Sequence, residues 1–157
     1  ETFALEQPVA MSILEGLRRA VRNCVEGCES IYFDIQHDTP IAILADEQFL
    51  PVHLLSEGQR IILAMVADIA YKIISLNPQL EGSATLETPG IVLIDEIDLC
   101  LSTDWQRKIV YKLRKTFPKI QFIVTTSSSS ITQSLPPTEL IYLSEDETQA
   151  KVEMVFY

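Results

Sequence analysis

Ile91-Val92-Leu93-Ile94, followed at once by Asp95-Glu96, is the segment that most narrows what this chain can fold into. So short and continuous an apolar run reads as a strand buried on both faces of a parallel sheet, where covering helices leave no wet face. The two acids fall where that strand ends, and the C-terminal edge of an α/β sheet is where ligands bind. Beyond it, Trp105, Ile109 and Leu113 recur at helical spacing behind Asp104, a candidate cap, and Ile120 to Thr125 follows Pro118 as a second buried strand. Strand, helix, strand predicts a βαβ crossover within an α/β sheet. A Ser-rich loop from Ser127 to Pro137 leads to a third short strand, Leu140 to Leu143. The alternating tail from Ala150 to Tyr157 is expected to form a hairpin with it around Glu145-Asp146-Glu147.

Upstream, Pro8 to Val25 repeats Ile13, Leu17, Ala20, Val21 and Cys24 at helical spacing, with Pro8 suited to the first turn and Gly27 to the end. Alternating runs at Ile31–Ile35 and Ile41–Leu44, then Phe49–Val52, predict a small antiparallel β element. Ser56-Glu57-Gly58-Gln59 opens a long helix ending near Asn77-Pro78. Its apolar residues occupy more than one stripe, so it is expected to be largely buried. Gln79 to Pro89 reads as an exposed, mobile loop. One domain is expected, with a helix and β element over 1–54, the long helix over 55–78 and a βαβ core with C-terminal strands over 90–157.

A formal net charge of −10 works against a general nucleic-acid-binding surface, because phosphate contacts need clustered cations. Arg107, Lys108, Lys112, Arg114, Lys115 and Lys119 do cluster, but they read first as the solvated face of one helix. Cys24, Cys28 and Cys100 make no disulfide framework, and neither histidine, His37 or His53, stands at a metal-ligand spacing from them. No secretory signal precedes the first helix, and the longest apolar run is far too short to span a membrane. The expected compartment is the cytoplasm. The opening on Glu1 rather than Met suggests an excerpt or a processed piece.

Two segments can carry chemistry. At the strand end, one carboxylate of Asp95-Glu96 can hold Mg²⁺, usually through water, while its neighbour orients or deprotonates an attacking water. Two solvated acids at the end of a strand are the bland alternative. At Ser56-Glu57-Gly58-Gln59, free N–H groups and the positive end of the helix dipole can receive an anion, and Gly58 lets a ligand approach the backbone. There the bland alternative is a plain N-cap by Ser56.

In order and spacing, Leu55-Ser56-Glu57-Gly58-Gln59, a long helix, a loop and Ile91–Glu96 resemble the signature and Walker B motifs of ABC-type ATPases. Val66-Ala67-Asp68-Ile69-Ala70, Gly90 to Leu101 with Trp105-Gln106-Arg107, and Phe117 to Thr126 narrow the resemblance to AAA-type members of the RecF/SMC/OLD-like branch. It covers roughly Pro8 to Leu143. It implies the C-terminal lobe of a P-loop NTPase: a mainly parallel sheet flanked by helices, with the small antiparallel element near the N-terminus. It further implies ATP and Mg²⁺ as cofactors, Asp95 as the magnesium-associated aspartate and Glu96 as the catalytic glutamate. Ser56, Glu57, Gly58 and Gln59 would meet the γ-phosphate of a nucleotide held by a second subunit, as in a homodimer. Asp98 would open the loop that crosses between subunits. Proteins of this kind are often linked to bacterial defence against phage, which brings in an effector protein and DNA contact through other parts of the molecule as further partners.

Two departures stand against that pattern. No Gly-x-x-x-x-Gly-Lys-Ser/Thr occurs in the sequence, so the phosphate cradle has to come from an N-terminal ATPase lobe. By the resemblance, the missing loop's strand would lie between Ile120–Thr125 and Leu140–Leu143, and its absence predicts an exposed gap or edge there that a partner segment must cover. The second departure is Ser127, which stands where relatives carry a switch histidine, in Thr126-Ser127-Ser128-Ser129. Serine has no charge to offer a γ-phosphate. A non-catalytic scaffold that pairs with a partner is therefore the alternative reading. A weaker third is an unrelated metal-dependent hydrolase using Asp95, Glu96 and Asp98.

Overall fold

A computed structural model describes residues 7–144 and 150–156. The chain divides into two compact units, Glu1–Thr88 and Pro89–Tyr157.

In the first unit, α1 (Gln7–Cys24) is followed by a turn in which Gly27 takes a φ of 76°, and then by three short antiparallel strands. These are β1 (Cys28–Asp34), β2 (Thr39–Leu44) and β3 (Phe49–Pro51), in the order β1-β2-β3. This is the predicted antiparallel element. The β1–β2 turn is organised by Asp34, whose Oδ1 accepts the amides of Gln36 at 2.9 Å and His37 at 3.3 Å. A 3₁₀ turn, Val52–Leu54, leads into α2 (Glu57–Leu76). Ala20, Val21 and Cys24 of α1 are buried, as are Ile62, Val66, Ala70 and Ile74 of α2. Gly16 lets the two helices close: a Cβ there would stand 3.2 Å from Ile74 Cδ1.

Two expectations fail in this unit. The segment after α2 is not a free loop but a 3₁₀ turn, Pro78–Ser83, and one helical turn, α3 (Ala84–Glu87). Arg19 reaches across from α1 and donates to Gly82 O and to Thr85 Oγ1, which buries Ala84 and Thr85. Nor is α2 largely buried: seven of its twenty residues are buried, and Tyr71, Lys72 and Leu76 face solvent.

The second unit holds β4 (Gly90–Ile94), α4 (Thr103–Thr116), β5 (Ile120–Thr126), α5 (Ser129–Thr132), a 3₁₀ turn (Pro137–Glu139), β6 (Leu140–Ser144) and β7 (Ala150–Phe156). The sheet order is β4-β5-β7-β6. β4 and β5 run parallel, Ile94 opposite Val124, and α4 is the crossover between them. β7 is antiparallel to both its neighbours, so β4, β5 and β6 share one direction. The expected hairpin of β6 and β7 is present, and its turn at Glu145-Asp146-Glu147 lies outside the described residues. Ile109, Leu113 and Phe117 are fully buried with Phe122 and Val124 of β5; the Phe117 and Phe122 rings stand 6.3 Å apart.

Five expectations are corrected in this unit. No gap separates β5 from β6, because β7 pairs with both. β4 is an edge strand of the described sheet and not buried on both faces: Ile91 and Leu93, alternate residues on one face, are 64% and 74% exposed. Ser102 stands at the N-cap position of α4 with no capping hydrogen bond from its side chain, and Asp104 lies inside the first turn, where a carboxylate favours the dipole without being the cap. Trp105, expected in the core, is half-buried, with Lys112 Nζ 5.8 Å from its ring centroid. Ser127 to Pro137, expected as a loop, contains the short α5.

Candidate functional site

The end of β4 is shaped by side chains from the end of β5. Continuing the parallel register past Ile94 and Val124 brings Asp95 beside Thr125. The Thr125 hydroxyl donates to Asp95 Oδ1 and accepts the Glu96 amide at 2.7 Å. The Ile97 amide reaches Thr125 O at 3.0 Å. One residue thus fixes three consecutive positions of the acidic turn. Within that turn, Glu96 has a φ of 51°, in the left-handed region that costs a residue with a Cβ. Asp38, Glu47 and Glu81, in turns of the first unit, share that region, so at Glu96 it is the Thr125 contact beside the two acids that marks the turn. Cys100, with a φ of 59°, repeats the feature at the end of the turn.

Asp95 and Glu96 are exposed, Asp98 is half-buried and Ser127 is exposed. Asp98 is tied down. Its Oδ1 accepts the Thr126 hydroxyl and, at 3.3 Å, the Ser127 amide; its Oδ2 accepts the Ser127 hydroxyl at 3.3 Å. Gln106 of α4 donates to Leu101 O at 2.9 Å and accepts the Ser128 hydroxyl at 2.7 Å. Asp98 and Ser127 are thus in direct contact, while Asp95 and the Glu96 amide are held by Thr125, the residue before Thr126 on β5.

Ser56, Glu57, Gly58 and Gln59 belong to the first unit. Ser56 caps α2 in a reciprocal box: its Oγ accepts the Gln59 amide at 3.3 Å, and Gln59 Oε1 accepts the Ser56 amide at 3.1 Å. The Ser56 hydroxyl also donates to Gln59 Oε1 at 2.9 Å, and Gln59 Nε2 donates to Glu26 O at 3.1 Å. Arg60 seals the approach by donating to His53 O at 2.9 Å. The N-cap is real, and it leaves Ser56 and Glu57 exposed at the positive end of a twenty-residue helix.

Magnesium chemistry fits the acidic turn in one form. Among the described residues no group of three or more His, Cys, Asp and Glu side chains is placed to hold a metal. A lone Asp95 carboxylate with one oxygen engaged by Thr125 suits Mg²⁺ that arrives with phosphates and keeps its waters, not a resident ion in a protein cage. A separate cavity of about 420 Å³ in the first unit, bordered by Leu14, Leu17, Tyr32, Phe33 and Leu63, is apolar and contains none of these residues.

Thr125, Thr126, Gln106 and Ser128 carry no local sequence signal that marks them as site residues. The register of β4 against β5 was the signal that could have found the first two, since residues just past paired strand ends in a parallel sheet become neighbours.

Residues 41–131 match the family model AAA_21, described as "AAA domain, putative AbiEii toxin, Type IV TA system". The chain belongs to this AAA domain family. It is 32% identical over 136 residues to the "Retron Vc95 probable ATPase" of Vibrio cholerae serotype O1 biovar El Tor, a match covering 87% of this chain and 26% of that protein. It is 45% identical over 98 residues to the "Retron Ec83 probable ATPase" of Escherichia coli, covering 61% of this chain and 18% of that protein. The Septu protein PtuA of Bacillus thuringiensis matches at 41% over 66 residues, covering 42% of this chain and 17% of PtuA. The chain thus spans about a quarter or less of these relatives. Among solved structures, one described as "Structural biochemistry of ATP-driven dimerization and DNA stimulated activation of SMC ATPases" superposes with a TM-score of 0.60 at 15% identity, covering 94% of this chain and 84% of that one. The Smc head domain of Pyrococcus furiosus gives 0.58 at 17%, covering 94% and 35%. The fold is that of an SMC ATPase head, as the resemblance implied. Among the described residues no helix is long and apolar enough to cross a membrane.

Proposed function

We propose that this AAA domain contributes two surfaces to an ATP-hydrolysing site shared between subunits, and that its phosphate cradle comes from a segment outside the sequence. The observation that carries the reading is the acidic turn, where Thr125 holds Asp95 and a backbone-strained Glu96 at the C-terminal edge of β4. Asp95 is the carboxylate suited to water-mediated magnesium, and the metal would neutralise phosphate charge there. Glu96 orients the attacking water and takes its proton as the oxygen bonds to the γ-phosphorus and the β–γ bridging oxygen departs with ADP. The N-terminal end of α2, with Ser56, Glu57, Gly58 and Gln59, offers amides and dipole to the γ-phosphate of a nucleotide on the other subunit. A place in bacterial anti-phage defence, in the cytoplasm, beside an effector partner and with any DNA contact made elsewhere in the protein, follows from the family resemblance; the similarity to retron probable ATPases and to a Septu protein is in keeping with it.

A second reading, a pairing scaffold that hydrolyses nothing, is favoured by one observation: Ser127, which stands where the resemblance leads one to expect a switch histidine, is uncharged and gives its hydroxyl to Asp98.

The two readings separate in the intact protein by Mg-ATP titration, phosphate release and sedimentation, run on the wild type and Glu96→Gln. ATPase function predicts nucleotide binding in both, ATP-dependent dimerisation, and turnover lower by about a hundredfold or more in the variant. Equal phosphate release from both would remove Glu96 from the chemistry. Binding and dimerisation without turnover in the wild type would establish the scaffold.

A further inference from the structure

We infer that Asp98 is a positioning residue, whose carboxylate fastens the loop after β5 to the acidic turn and so sets where Ser127 stands relative to Glu96. The role deepens the ATPase reading above and rests on it.

Three donors converge on the one carboxylate: the Thr126 hydroxyl and the Ser127 amide on Oδ1, the Ser127 hydroxyl on Oδ2. Both carboxylate oxygens are therefore engaged within the chain. Hydrogen bonds to an ionised acceptor are shorter and stronger than neutral ones. Thr126 is fully buried, so the donor end of its bond to the half-buried Asp98 is shielded from competing water. Asp98 is itself anchored from behind. Its carbonyl accepts the Leu101 amide at 3.1 Å and Gln106 Nε2 at 3.4 Å. Gln106 then closes the far side, accepting the Ser128 hydroxyl at 2.7 Å, while the Ser128 amide returns to Thr126 Oγ1 at 3.0 Å. The loop 126–128 is thus tied to the turn 95–101 at two points, Asp98 in front and Gln106 behind.

The consequence lies in what Ser127 can do. A neutral side chain at this position gains no hold on a phosphate by charge, so its place has to be set from within the protein. Asp98 supplies that hold from a position two residues beyond Glu96. A displacement of the turn that carries Glu96 is passed to Ser127 through a carboxylate, and the reverse.

The test is amide hydrogen exchange on the intact protein without nucleotide, beside Mg-ATP affinity and steady-state kinetics, for wild type, Asp98→Ala, Asp98→Asn and Ser127→Ala. Asp98→Ala is expected to speed exchange at Ser127 and Ser128 by about tenfold or more, with Phe122 and Val124 unchanged. Its kcat should fall while the Mg-ATP dissociation constant stays within about twofold, as for a group that positions and does not bind. Asp98→Asn, which keeps an acceptor but not the charge, should lie between. Should Asp98→Ala lose protection throughout β5, the isosteric Asp98→Asn and the exposed Ser127→Ala carry the same comparison. Unchanged exchange at Ser127 in every variant overturns the proposal. Weaker nucleotide binding with unchanged exchange would make Asp98 a ligand instead. A wild type that binds no Mg-ATP sinks the ATPase reading alone: an exchange difference that persists between wild type and Asp98→Ala still shows that Asp98 fastens the loop, and its absence overturns the proposal separately.

Discussion

The Glu96 amide donates to the Thr125 hydroxyl at 2.7 Å, and the same hydroxyl donates to Asp95, so one side chain from β5 holds both acids at the end of β4. Removing that hydroxyl frees the turn without touching either carboxylate. Thr125→Val keeps the β-branched shape and is expected to cost about 1–2 kcal/mol of stability. In the intact protein its ATP turnover should fall by about tenfold or more, from misplacement of Glu96. Thr125→Ser restores the hydroxyl and should restore turnover. Denaturant melts and phosphate release on the three proteins check this, and equal turnover in Val and Ser would show that the hydroxyl places nothing.

Glu96 is held at a φ of 51°, where glycine is at ease and other residues are not. Glu96→Gly should therefore be more stable than Glu96→Ala, by about 1 kcal/mol, while both lose hydrolysis. A urea midpoint for Ala equal to or above that for Gly would mean that the turn carries no strain.

Ser56 serves the fold whether or not it serves a phosphate. Its capping box predicts that Ser56→Ala lowers stability by about 1 kcal/mol. Ser56→Asp keeps a cap but sets a negative charge at the helix end, so it should melt like the wild type and weaken ATP-dependent dimerisation by about tenfold. Dimerisation by Ser56→Asp at wild-type strength would leave the N-cap as the whole role of this residue.

What was legible in the sequence follows from which forces act locally. α1, α2 and α4 announce themselves through apolar spacing, and β1 to β3 through alternation, because each element's burial pattern is written along its own residues. The acidic turn was legible for the same reason: an apolar run ends and two acids follow. The edge position of β4 was not. Ile91 and Leu93 look like core residues, yet the face of β4 they share is exposed, and that β4 ends the described sheet follows only from the sheet order. The insertion of β7 between β5 and β6 depends on pairings between segments distant in sequence, which no local pattern encodes. The same holds for the Asp98 cluster, since Thr126 and Ser127 lie 28 and 29 residues away from it and meet it only through the register of β4 and β5. Arg19 reaching Gly82 and Thr85 likewise converts an apparent loop into packed structure through one long side chain.

Asp34 gives a pH-dependent prediction outside the site. His37 Nδ1 stands 2.7 Å from its Oδ2, and that contact is the first cause holding its carboxyl below the ordinary range. Partial burial opposes the shift, and the Gln36 and His37 amides reinforce it. Because the folded state favours the ionised form, the stabilisation is present at pH above the ordinary aspartate range. It is lost as pH falls through the lowered folded value. Carboxyl NMR on the intact protein should find Asp34 titrating below free aspartate, and His37→Ala should move it upward without fully normalising it, since the Gln36 amide remains at 2.9 Å. The stability difference between wild type and His37→Ala should accordingly narrow as the pH is lowered through that folded value. An Asp34 titration unmoved by His37→Ala would place the origin of the shift in the turn amides alone.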